Sequence, residues 1–109
     1  MIQSFFVKGV LPGLNEMIAA AKRGRRGYQP YALMKREAEM VILAAIRHAR
    51  LMPMTGPVVL LCTWHEKNKR RDPSNIRAGI KFIEDALQTA GILKNDGWDT
   101  ILKHGDAYA

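Results

Sequence analysis

The sequence predicts an α+β fold: a single domain over residues 1–109, with a small mixed sheet and helices packed on it. Three observations carry this. Two runs, "IQSFFVKG" and "VVLLCTWHE", are β-branched, aromatic or continuously apolar and are bounded by Gly, Pro or charge, as strands are. A long segment after Pro30, "YALMKREAEMVILAAIRHAR", is rich in helix formers. Ile76, Ile80, Ile83, Leu87 and Ala90 then recur at helical spacing and form one stripe. At 109 residues and 48% hydrophobic, the chain can fill one modest core and is too apolar to be disordered.

Residues 2–9 read as a strand opening the sheet, stopped by Gly9. "VLPGLNE" breaks it, and a short helix from Asn15 decays into a mobile Gly- and Arg-rich loop in which two glycines flank Arg25 and Arg26. The helix after Pro30 runs to about Leu51, with Leu33, Met40, Leu43 and Ile46 as its apolar positions. Residues 58–66 form an inner strand, since an unbroken apolar run suits burial on both faces. The next helix begins near Asn75 and ends at Gly91, its stripe facing the core and Arg77, Lys81, Glu84, Asp85 and Gln88 turned away from it. "KNDGW" is a turn, and "WDTILKH" a last short strand.

Seventeen Lys and Arg against ten Asp and Glu give a net charge of +7, which favours a polyanionic partner, nucleic acid foremost. The lone cysteine, Cys62, excludes an intramolecular disulfide and a thiolate metal cluster, so a reducing compartment, the cytoplasm, is expected. No apolar run reaches the twenty or so residues of a membrane helix, and no membrane partner is expected. The cations concentrate in "KNKRRDPSN", where Lys67, Lys69, Arg70 and Arg71 precede Asp72, and Pro73 holds Asp72 extended at a strand-to-helix junction. Taken alone, Asp72 offsets local repulsion and caps the helix, Lys81 and Asp85 make a surface ion pair one turn apart, and Asp96 serves a tolerant Asn-Asp-Gly turn. Taken together, carboxylates among cations suit phosphodiester chemistry, in which a hard, oxygen-liganded cation activates water while Lys and Arg hold the backbone.

"RRDPSNIRAGIKFIEDALQTAGILKNDGW" resembles the core signature of the RusA-type Holliday-junction resolvases, in its phage and prophage form. The likeness spans about thirty contiguous residues and extends loosely to "LPGLNE" and the basic stretch after it. It implies a homodimeric, Mg2+-dependent endodeoxyribonuclease that cuts four-way DNA junctions in recombination and repair, with Mn2+ as a substitute ion. Asp72 and Asp96 match catalytic, metal-binding aspartates of that family, with Asp85 of "DAL" a further candidate ligand; Lys81 matches the catalytic helix lysine, and Asn75 the motif asparagine. Lys67, Lys69, Arg70, Arg71, Asn75, Arg77, Arg25 and Arg26 are then the expected DNA contacts. Ser74 departs from the pattern, standing where the family has a second aspartate, and so weakens that position as a ligand. The chain also carries three more residues between Asn75 and Lys81 than the commonest form, and stops at "HGDAYA" where the family continues with a further strand. The alternative expectation is a junction-binding protein of the same fold that no longer cleaves. An RNA-binding domain is disfavoured, because Trp64 and Phe82 lie in apolar runs and do not pair as an exposed stacking platform.

Overall fold

Gly13 opens the first helix, α1 (Leu14–Lys22), without a side chain to cap it. Two other side chains do that work, one in the first turn and one far along the chain: Gly13 N donates to Glu16 Oε1 at 3.3 Å, and Asn15 N donates to Asn75 Oδ1 at 2.9 Å. A Cβ at Gly13 would lie 2.7 Å from Asn75 Oδ1 and 2.8 Å from an Arg71 nitrogen, so only glycine allows this approach. The Arg-rich segment that follows, expected as a loop, is a tight turn. Arg25 and Tyr28 exchange both backbone hydrogen bonds (2.9 and 2.8 Å), Gly27 takes φ +81°, and the Arg25 guanidinium lies 5.5 Å from the Tyr28 ring centre.

In the computed structural model, which describes residues 1–109, the elements run α1, α2 (Pro30–Ala49), β1 (Val58–Trp64), α3 (Pro73–Arg77), α4 (Ile80–Thr89) and β2 (Ile101–Tyr108). The fold is α+β, as the sequence predicts. Its sheet, however, has two parallel strands and is not mixed. Parallel neighbours need a long crossover, and α3 and α4 provide it. Register starts at Val58↔Ile101, slips at a bulge by Leu102, and continues from Val59↔Lys103 to Trp64↔Tyr108.

Residues 2–9 form no strand. Their burial alternates as a strand's does, with Gln3, Phe5 and Val7 less exposed than Ser4, Phe6 and Lys8. No ladder with β1 forms, and clefts of about 170 and about 490 Å3, both lined by Phe5, Leu60 and Leu61, lie where the segment passes the strand. The Gln3 amide instead clips the segment to Met52, donating to its carbonyl at 2.8 Å and accepting from its N–H at 2.7 Å. With one layer missing, β1 is not an inner strand: Val59 and Leu61 are exposed while Leu60, Cys62 and Trp64 face inward.

The helix expected from Asn75 to Gly91 begins earlier, with Asp72 as N-cap and Pro73 at its first position, and is interrupted at Ala78–Gly79. The interruption is a tightening: Gly79, Lys81 and Phe82 each donate to the carbonyl three residues back, at 3.1 to 3.4 Å. Gly79 is buried, and a Cβ there would press on Leu11 and Trp64 at 3.3 and 3.4 Å. Of the predicted stripe, Ile76, Ile83 and Leu87 are buried, Ile80 at the break is half-buried, and Ala90, the C-cap beyond the last turn of α4, is exposed. Phe82, Ile42 and Ala86 form the centre of the core, where α4 meets α2 through Ala38, Ile42 and Ile46. Leu33 and Met40, expected on that face, are exposed. No helix is long and apolar enough to cross a membrane.

Candidate nucleic-acid interface and acidic centre

The outward side of α4 carries the charge. Lys81 lies near its start, and its ammonium sits 3.2 Å from Asp85 Oδ1 one turn on and 3.2 Å from Asp96 Oδ2 in the α4–β2 loop. Lys35 of α2 reaches Asp85 Oδ2 from the other side at 3.5 Å. Three residues named from sequence are thus gathered at one point. The hydrogen bonds that Lys81 donates to Asp96 and then to Asp85 raise its pKa and keep it charged, while Lys81 holds the Asp96 carboxyl below the ordinary aspartate value.

Glu84 belongs to this region and escapes the sequence pattern, which turns it outward. It is 8% exposed, under β2, with His104 Nε2 at 3.4 Å from its Oε1. Burial raises its pKa, against the opposing pull of His104, and the nearby Asp96 charge adds to the rise. A folded-state pKa above the ordinary 4.5 means that the stability tied to Glu84 is present below that value and lost as pH rises through the folded pKa. Glu84→Gln is therefore expected to stabilise the fold on the order of 1 kcal/mol at pH 8, a gain that shrinks towards pH 4.5. Urea titrations at the two pH values check this.

Further along β2, Asp106 accepts from Trp64 Nε1 at 2.8 Å and from Arg77 Nε at 3.1 Å. Burial pushes its carboxyl up, but these two donors outweigh burial and hold it below the ordinary value. Arg77 is thereby committed to an internal partner on one edge while remaining exposed on the other. Cys62, behind this pair, is no reactive thiolate: burial, with Asp106 and Glu84 nearby, pushes its thiol up to about 11.

The cationic run divides sharply. Lys67, Lys69 and Arg70 are exposed and enter no ion pair, in a loop pinned by Asn68 Oδ1 accepting from Arg70 N at 2.9 Å. Arg71 turns inward. Its Nε and Nη2 donate to Glu66 at 2.8 Å each, and its Nη1 donates to Leu11 O and to Glu16 Oε1 at 3.1 Å each. Asn75 likewise spends its side-chain oxygen on α1. These two, expected as DNA contacts, are placed as struts joining "LPGLNE" to "RRDPSN". Arg25 and Arg26 are exposed on their turn. Asp72 and Ser74 are exposed at the start of α3, whose five residues supply little helix dipole, and the Asp72 carboxylate has no ion-pair partner.

No group of three or more His, Cys, Asp or Glu side chains is placed to hold a metal ion. Asp85 and Asp96 make a pair of hard oxygen donors around one cationic point, and Mg2+ is commonly held by one or two carboxylates, with waters and substrate phosphate completing its shell. The donor set therefore fits that ion in kind. Comparison with protein-family models, curated proteins and solved structures returns no match.

Proposed function

We propose that this domain is a Mg2+-dependent, structure-specific endodeoxyribonuclease of the RusA type that acts on four-way DNA junctions in the cytoplasm. The observation that carries the reading is the convergence of Lys81, Asp85 and Asp96, from two different segments, at contacts of 3.2 Å. Three of the residues behind the resemblance thus meet in space, while Asn75 bonds to α1. The unpaired Lys67, Lys69 and Arg70, with Arg25 and Arg26, would track the phosphate backbone and give binding a steep salt dependence.

Asp85 and Asp96 would hold the ion; Asp72, which the resemblance implies as a ligand, is exposed at the start of α3 and makes no ion pair with this centre. When bound, Mg2+ supplies charge that polarises the phosphodiester and makes a water nucleophilic near neutral pH. Lys81 would then move its ammonium from the carboxylates to the phosphate oxygens, as charge builds there. A homodimer would set two such centres symmetrically across a branch.

A second reading, a junction binder that does not cut, is favoured by two observations: Ser74 in place of a carboxylate, and a Lys81 ammonium that already neutralises Asp85 and Asp96. The test is a labelled four-way junction incubated with the chain in Mg2+ or in EDTA. Nicks near the branch in Mg2+ alone support the nuclease. An intact junction with a salt-dependent gel shift leaves the binder. Ser74→Asp is expected to raise the cleavage rate about tenfold or more by restoring a hard ligand, and an unchanged rate would remove Ser74 from the account.

A further inference from the structure

Trp98 is 94% exposed, although tryptophan is among the side chains with most to gain from burial. Its backbone is not loose. Asn95 Oδ1 accepts from Gly97 N at 2.9 Å and from Thr100 Oγ1 at 2.7 Å, and Gly97 O accepts from Thr100 N and Ile101 N at 3.1 and 3.0 Å. The turn is thus braced from within and runs directly into β2, so the indole stands on a fixed base. No hydrogen bond, aromatic partner or cation is spent on it within the chain.

Its position gives it a use. Trp98 lies two residues after Asp96, whose carboxylate is bound to Lys81, and the exposed Lys94 and Lys103 flank the turn on either side. An open indole on a braced turn, next to Asp99 and close to Asp96 of the proposed metal-holding side, with Lys94 and Lys103 four and five residues away, matches the sequence-tolerant platforms on which single bases stack. In a continuous duplex the base faces are covered by their neighbours; at a branch the stack is interrupted and a face comes free.

We infer that Trp98 is the stacking platform for an unstacked DNA base at the branch, and so the residue by which this centre tells branched DNA from duplex. The inference rests on the nuclease reading above. It adds a readout of base exposure to phosphate contacts, which carry no information from the bases themselves.

The full chain, Trp98→Ala and Trp98→Phe are compared in EDTA by fluorescence anisotropy with a labelled four-way junction and with linear duplex of the same sequence. Trp98→Ala should lose about 5- to 150-fold in junction affinity, and Trp98→Phe much less, with duplex affinity unchanged for both. Trp64 is buried, so quenching of the exposed-tryptophan emission on junction binding, absent in Trp98→Ala, provides a second readout. Trp98→Ala binding the junction within twofold of wild type would overturn the inference and leave the nuclease reading standing. An equal loss on duplex, or conversion of a dimer to a monomer by light scattering, would also overturn it. A wild-type chain with no junction preference would overturn the reading beneath it.

Discussion

Asp96→Asn is expected to lower Mg2+-dependent cleavage of a four-way junction by about a hundredfold or more while leaving the thermal midpoint of unfolding nearly unchanged. The two halves of this expectation have separate causes. Asp96 is exposed in a surface loop, and exposed ion pairs contribute little to stability, so its loss leaves the fold nearly as stable as before. For the chemistry it is one of two carboxylates on the Lys81 ammonium, and the amide that replaces it is a neutral and weaker ligand for a hard cation. Lys81→Met should give a loss of similar size through the phosphate side of the same centre. Cleavage by Asp96→Asn within threefold of wild type would show that the acidic centre on α4 is a surface ion pair and nothing more.

Arg71→Met is expected to have the opposite profile, destabilising the domain by about 3 kcal/mol while its neighbour Arg70→Ala shifts stability by about 0.5 kcal/mol or less and weakens DNA binding. Arg71 joins three parts of the chain, through Glu66 after β1, Glu16 on α1 and the Leu11 carbonyl, and both members of its main pair are mostly shielded, at 19% and 15% side-chain exposure. Truncating it leaves the Glu66 carboxylate without either of its donors. The same pair dictates an acid limb. The hydrogen bonds from Arg71 hold Glu66 below its ordinary 4.5, so the stability it contributes is complete above that value and is lost as pH falls through the folded pKa. Glu66→Gln should flatten that limb in urea titrations taken between pH 6 and pH 3. Coincident curves would place the acid sensitivity elsewhere.

The sequence was most legible where a local rule had no competitor. The stripe of α4, the Pro30 start of α2 and the Asn-Asp-Gly turn were each stated by a few residues, and the fold class followed from them. Helix α2 shows the limit: apolar residues occupy most of its faces, so periodicity could not choose its buried side, and Ala38, Ile42 and Ile46 took it instead of Leu33 and Met40. Glu84 was hidden for a related reason. Helix α4 is covered by α2 on one side and β2 on another, so burial spreads well beyond one stripe and takes in a carboxylate that only the β2 residue His104 could explain. The first segment has a strand's alternation without a strand's partner. Within the site, Lys81, Asp85 and Asp96 were legible through the resemblance. Arg71 was not separable from the cations beside it, because Glu16, which helps turn it inward, lies 55 residues away.

Crystals of the chain soaked in Mn2+ and measured for anomalous scattering test the centre most directly. A peak is expected about 2.1 Å from carboxylate oxygens of Asp85 and Asp96, with the Lys81 ammonium displaced from between them. Crystals without a peak there, in which Lys81 still lies 3.2 Å from both carboxylates, would contradict it.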